Sequence, residues 1–260
     1  MLFQRKMIVV RVLRLLGVLF WIVLGLAILA ALFPFQDRQH QGRIASWWAG
    51  GLLTILGLHL EVSGDKPARR ALVVANHVSW LDPFLLMAVF PVRFVAKAEI
   101  RHWPVMGWLA QRAGTVFIER ERHRDVSRVA NTFASHLQNG EIVGMFPEST
   151  TGDGSFLRPF KTSLFQVALA PGIECIPVGI RYSDAAAAWI DDMGFAESLW
   201  RIAGLSGLRA EVILTPALKT DCLDRRSVAS LSEHAVAEAL SLAVRHSPPA
   251  PPSGPPAATH

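Results

Sequence analysis

Ala71-Leu72-Val73-Val74-Ala75-Asn76-His77-Val78-Ser79-Trp80-Leu81-Asp82-Pro83 decides how the rest of the chain is read. Its first five residues form an unbroken apolar run, short and without alternation, the pattern of a strand covered on both faces. Asp82 followed by Pro83 has the chemistry of a helix start: an N-cap carboxylate, then a first helical residue with no N–H to lose. The stretch therefore predicts strand, turn and helix, with the helix beginning at Pro83. His77 and Asp82 fall in the turn, beyond the carboxyl end of the strand, where α/β folds place their chemistry. A histidine there exchanges a proton near neutral pH, and a carboxylate beside it fixes which ring nitrogen carries the hydrogen. Taken alone, a loop histidine is usually just solvated and an Asp-Pro pair just a cap. The pair gains meaning from its surroundings.

From Gly64 onward, short apolar runs alternate with helical patterns. Strands are predicted at 93–96, 115–118, 142–146, 176–180 and 210–214. Helices are predicted at 83–89, 103–110, 126–139, 162–170 and 228–245. In 126–139, Val126, Val129, Ala130, Phe133 and Leu137 share one face and Gly140 closes the end. This alternation argues for an α/β fold, a layered domain with a mainly parallel central sheet flanked by helices. Residues 187–202, with Trp189, Phe195, Leu199 and Trp200, are amphipathic. They fit a helix packed on the core or one touching lipid, the former being the commoner use.

The N-terminus is of another kind. Arg5, Lys6, Arg11 and Arg14 precede residues 15–35, which carry no charge. About 20 apolar residues suffice to cross a bilayer core. The run is too long for the apolar part of a signal peptide and no small-residue cleavage site follows, so it is expected to stay attached as a membrane helix. Residues 47–60 are apolar but too short to span. They fit an interfacial segment, or a return of the chain to the same side as a half-buried hairpin. The expected organisation is membrane-anchoring helices over 1–60, the α/β domain over 61–246 and a disordered Pro-rich tail over 247–260.

Composition agrees. Of the 260 residues 51% are hydrophobic and only 18% charged, more apolar than a soluble domain and in keeping with membrane contact. The net charge of +5 suits an anionic partner such as a phospholipid surface or a phosphorylated substrate. Nucleic acid would suit the charge but leave the apolar N-terminus unexplained, and no reading motif is present. Cys175 and Cys222 read as reduced thiols rather than a disulfide scaffold.

Three more stretches carry candidate chemistry. Gly114 to Arg120 ends a predicted strand on a cation, close to Arg122, Arg124 and Arg128. That is a place for a phosphate, although the interleaved Glu119, Glu121 and Asp125 also suit a solvated charge run. Phe146-Pro147-Glu148-Ser149-Thr150-Thr151-Gly152 follows another strand, putting a carboxylate at its edge and Arg158 and Lys161 shortly after. Glu174 to Arg181 reads equally as a plain core strand. No phosphate-binding P-loop, dinucleotide fingerprint or G-x-S-x-G elbow occurs, and the histidines lack the close pairing of a metal site.

In combination these residues resemble the glycerolipid acyltransferase family, the bacterial 1-acylglycerol-3-phosphate acyltransferases and their relatives. Asn76-His77-Val78-Ser79-Trp80-Leu81-Asp82 matches N-H-x-S-x-x-D. Gly114 to Arg120 matches the second block, Phe146-Pro147-Glu148 the third, and Ile176-Pro177-Val178-Gly179 the fourth; Lys97 also looks like a family position. H-x-x-x-x-D alone is weak, whereas four blocks in order over residues 60–215 are specific. The resemblance implies that His77 is the general base and Asp82 orients it. Lys97 and Arg120 would hold the acceptor's phosphate, with Glu148, Ser149 and Thr150 positioning the acceptor. The donor would be a thioester on acyl carrier protein or coenzyme A, the acceptor a lysophospholipid, with no metal and no organic cofactor. The expected place is the bacterial inner membrane, with the catalytic domain at its cytoplasmic face, which favours the half-buried hairpin.

One departure bears on the acceptor. The third block usually reads F-P-E-G-T-R-S, but here serine stands at 149 and threonine at 151. Without that arginine, lyso-ornithine lipid, a phosphate-free acceptor, is the alternative to 1-acylglycerol-3-phosphate. From another class, a non-catalytic lipid-binding protein at the membrane surface would also fit the charge and the amphipathic segments. The intact His77/Asp82 pair speaks against it, since binding needs no general base.

Overall fold

The computed structural model describes residues 2–67, 70–97, 102, 107, 116–118, 133–169, 172–190, 192–220 and 222–245. In chain order the helices are α1 (Leu2–Ala31), α2 (Arg38–Ile55), α3 (Asp82–Val89), α4 (Phe195–Ala203) and α5 (Arg225–Leu240). The strands are β1 (Leu58–Ser63), β2 (Ala71–Ala75), β3 (Val92–Lys97), β4 (Val116–Ile118), β5 (Ile142–Met145), β6 (Glu174–Tyr182) and β7 (Leu208–Leu214). They make one sheet in the order β1-β7-β6-β2-β5-β3-β4. Every neighbouring pair is parallel except β6 with β7.

β2 is central and all five of its residues are buried. Ala71, Val73 and Ala75 face a core shared with α2, α3 and α4, while Leu72 and Val74 face a second core under α5. Two covered faces leave no place for a polar residue, which is why the run does not alternate. In register, Val74 lies beside Met145 of β5 and Ala75 beside Val178 of β6. The carboxyl ends of these three strands therefore open at one place.

Several expectations are corrected. α3 begins at Asp82, not Pro83, and its N-cap position is Leu81. The Asp82 carboxylate turns back to the backbone N–H groups of Val78 and Ser79, at 2.7 and 2.9 Å, instead of capping the helix ahead of it. Thr162–Leu169 is a 3-10 helix. The apolar segment 47–60 divides between α2 and the edge strand β1, which pairs with β7. For the amphipathic stretch 187–202 the expected core-packed helix is found, over the shorter range of α4 and through Ser198, Ile202 and Ala203. Most of the predicted helices 103–110 and 126–139 and the whole tail 247–260 lie outside the described residues.

α1 and α2 form a hairpin. Trp21 Nε1 donates to the Trp48 carbonyl at 2.8 Å, and Trp48 Nε1 returns the bond to Trp21 at 3.0 Å. Each indole lies in a notch where a Cβ would collide with it, at Gly51 and Gly25 respectively. α2 packs on α3 through the shared core, and α1 covers α2 from outside. The outer face of α1 exposes Leu13, Leu16, Leu19, Phe20 and Val23. The stretch Met7–Phe35 is long and apolar enough to cross a membrane. Such an apolar face suits contact with a bilayer.

Candidate active site

Asn76 ends β2 by imitating backbone. Its side-chain amide donates to the Ile180 carbonyl at 2.9 Å and accepts from Ile180 N–H at 2.7 Å, continuing the ladder with β6 after the main chain has turned away. That fixes where His77 leaves the sheet. Phe146 stacks on the imidazole with ring centres 4.2 Å apart, and Phe94 stacks on Phe146 at 5.6 Å. Phe94 can lie there because β5 carries Gly144, where a Cβ would stand 2.7 Å from its ring.

His77 Nδ1 meets Asp82 Oδ2 at 2.7 Å; the histidine side chain is 20% exposed and the aspartate fully buried. Oδ2 also takes the Val78 and Ser79 N–H groups, and Oδ1 takes the Tyr182 hydroxyl at 2.6 Å. Four donors on one carboxylate fit its ionised form, which only accepts. The Nδ1 hydrogen is committed to Asp82, so Nε2 is the nitrogen left to take a proton. Burial, and after it the Asp82 charge, push the Tyr182 hydroxyl well above its ordinary pKa, so it stays a donor.

The loop after β5 holds the other side of His77. Glu148 Oε1 accepts from His77 N–H at 2.7 Å and Oε2 from Arg158 N–H at 3.0 Å. Gly152 N–H donates to the His77 carbonyl at 2.8 Å. Glu148 is 5% exposed, and burial raises its pKa from 4.5 to about 7; the two N–H groups oppose this and Asp82 adds to it. Both carboxylate oxygens of Glu148 are thus engaged with backbone. Ser149 bends the loop at φ 68°, and Thr150 is exposed. The Thr151 hydroxyl donates to the Trp189 carbonyl. Trp189 N–H in turn donates to the Val78 carbonyl at 2.9 Å. Lys97 ends β3 beside Ile118; its side chain, like the whole of Arg120, lies outside what is described.

Ser79, within the same turn, is fully buried, and its Oγ accepts from Leu81 N–H at 3.3 Å. A histidine held on a buried carboxylate through Nδ1, with Nε2 left over, suits general-base chemistry on a hydroxyl. Sequence reasoning missed Tyr182. Its only signal was position: it is the sole tyrosine and it ends the strand that carries the fourth block.

The sequence matches the family described as Acyltransferase over residues 59–181. A 1-acyl-sn-glycerol-3-phosphate acyltransferase of Neisseria meningitidis serogroup B is 42% identical over 169 residues, 62% of this chain and 66% of that protein's length. A lyso-ornithine lipid O-acyltransferase of Pseudomonas aeruginosa is 38% identical over 251 residues, 91% of this chain and 94% of the relative. The crystal structure of a 1-acyl-sn-glycerophosphate acyltransferase from Thermotoga maritima shares the fold, with a TM-score of 0.69 over 90% of this chain and 96% of that one at 18% identity. The chain belongs to the glycerolipid acyltransferase family.

Proposed function

We propose that this membrane-associated enzyme moves an acyl group from acyl carrier protein or coenzyme A to the free hydroxyl of 1-acyl-sn-glycerol-3-phosphate, forming phosphatidate. The observation that carries the reading is the buried Asp82 bound to His77 Nδ1 at 2.7 Å, with Ser79 buried and its Oγ accepting from Leu81 N–H. His77 Nε2 takes the hydroxyl proton as the acceptor oxygen bonds to the thioester carbon. The C–S bond then breaks and the leaving thiolate takes the proton back from the imidazolium, giving ester and free thiol. Asp82 stabilises the imidazolium between the two steps. No acyl-enzyme, metal or organic cofactor enters this scheme. Lys97 and Arg120 are assigned to the acceptor phosphate. The relative in Neisseria, named for this activity, supports the choice of acceptor.

A second acceptor is favoured by a separate observation. Position 151 offers a hydroxyl engaged with Trp189 rather than a cation. The relative matched over 94% of its length is named for O-acylation of lyso-ornithine lipid. The placement we propose is the inner membrane with the domain at its cytoplasmic face and the α1–α2 hairpin half-buried. Two contacts support the hairpin: Arg14 donates to the carbonyls of Ala203, the last residue of α4, and Leu205 beyond it, and Arg38, at the start of α2, pairs with Glu141 at 3.2 Å. Both therefore tie the hairpin to the domain rather than leaving it to cross alone. The test is acyl transfer by membranes carrying the protein, using a labelled thioester with each lysolipid. Product is expected with one or both acceptors and none with His77→Ala; full activity in that variant would falsify the mechanism.

A further inference from the structure

The departure at Thr151 removes a cation from the loop, and the structure supplies another. Arg158 is joined to the site through its backbone, whose N–H donates to Glu148 Oε2 at 3.0 Å while Oε1 holds His77 N–H. Arg158 Nε is buried without a hydrogen-bond partner, and the guanidinium carbon lies 5.7 Å from the centre of the Phe156 ring. Leaving a buried donor unpaired is costly, and a group held that way is usually waiting for a partner. Beside it stands Gly152. A Cβ at 152 would lie 3.9 Å from Arg158 Nε and 3.9 Å from the His77 carbonyl oxygen. The glycine thus leaves a gap of about one methyl group between the guanidinium and the His77 backbone, with the Gly154 nitrogen on its third side at 4.0 Å.

We propose that Arg158 is a further anion clamp of the acceptor subsite, acting beside Lys97 and Arg120. Its Nε–H and neighbouring Nη–H take oxygens of a phosphate or carboxylate on the acceptor headgroup, with Gly152 leaving Nε open to one of them, and this fixes the acceptor hydroxyl near His77. The planar guanidinium suits both anions because it offers two parallel donors to two oxygens. The proposal rests on the acyl-transfer reading. Lysophosphatidate would present its phosphate and lyso-ornithine lipid its carboxylate, so the clamp serves either.

Steady-state kinetics of the full chain in membranes, with each acceptor in turn, test this. Arg158→Gln is expected to raise KM for the acceptor by about 10–100-fold with kcat changed by less than about threefold, and Arg158→Lys to recover part of the loss. Gly152→Ala meets no atom closer than 3.9 Å, so it should fold; it fills the space and raises KM with the charge intact. Arg245→Gln removes the other cation over the Phe156 ring, 4.9 Å from its centre, and leaves the kinetics unchanged. A KM effect confined to lysophosphatidate identifies phosphate as the bound group; one confined to lyso-ornithine lipid identifies carboxylate. An unmoved KM in Arg158→Gln, or a fall in kcat that lysine does not rescue, overturns the clamp and leaves acyl transfer standing. A wild-type chain that acylates neither acceptor overturns both.

Discussion

The turn at residues 76–82 and the loop at 146–152 lie against each other, yet they are built by different rules. In the turn every partner is dictated. Asn76 completes the β6 ladder, Asp82 receives four donors, and no residue between 71 and 82 has a positive φ. The loop supports the turn through Glu148 and Gly152, but between those two contacts it departs from the family pattern and holds Ser149 at φ 68°. The difference teaches a division of labour. On the proposed mechanism, proton transfer tolerates little displacement, which suits residues on a strand end and inside hydrogen bonds. On the same reading, recognition of a headgroup needs only a suitable charge at a suitable place, so the cation can move along the chain, as from 151 to 158.

The comparison breaks first at Asp82. Asparagine keeps the shape but has one acceptor oxygen, whereas Asp82 serves three donors on Oδ2 and a fourth on Oδ1. Its amide N–H₂ must therefore face a donor or force the histidine into the wrong tautomer. We expect Asp82→Asn to lower kcat by on the order of 10³–10⁴-fold, as loss of the orienting carboxylate does in triads. Measured turnover above a tenth of wild type would show that the turn orients His77 without its aspartate.

This asymmetry also decides what was legible in the sequence. β2 could be read because burial on both faces leaves an unbroken apolar run, and His77 with Asp82 because both fall in one short turn. The family was legible from four short blocks in order. Tyr182 was not, because it reaches Asp82 only through the register of β6 on β2, which no local pattern reveals. The reversed Asp82 was hidden for a related reason: an aspartate before proline has the chemistry of a cap, and only the path of residues 77–79 shows which N–H groups it meets. β1 was hidden by its exposure, since an edge strand containing His59 and Glu61 lacks the apolar signal of a buried one.

Glu148 sharpens the comparison through pH. Burial raises its pKa from 4.5 to about 7 in the folded chain. The folded state therefore holds this proton more tightly than the unfolded state, and the stability it contributes is fully present below pH 4.5 and lost as pH rises through about 7. Glutamine does not titrate. The unfolding free energy of wild type relative to Glu148→Gln should thus fall by on the order of 3 kcal/mol between about pH 4.5 and 8. Denaturant titrations of both proteins across that range measure it; a difference independent of pH would mean that Glu148 ionises as freely folded as unfolded.

A smaller effect is expected at Tyr182, on the turn's side. Phenylalanine keeps the ring and removes the hydrogen bond to Asp82 Oδ1. With one donor fewer, Asp82 is held less firmly against the His77 ring. We expect Tyr182→Phe to lower kcat by about tenfold, the equivalent of one hydrogen bond to a charged group. An unchanged kcat would make Tyr182 a packing residue only.

The smallest effect belongs to Ser149. A side chain in the left-handed region costs about 1–2 kcal/mol relative to glycine, partly offset because glycine gains more freedom on unfolding. The serine hydroxyl confuses a direct comparison, since Oγ lies 3.4 Å from the Pro147 carbonyl. Glycine and alanine both lack it, so their difference isolates the backbone. Ser149→Gly should be more stable than Ser149→Ala by about 0.5–1 kcal/mol in denaturant titrations. Equal stability of the two variants would mean that the loop relaxes out of the left-handed region on losing its serine. The family's glycine at this position would then answer to something other than backbone conformation.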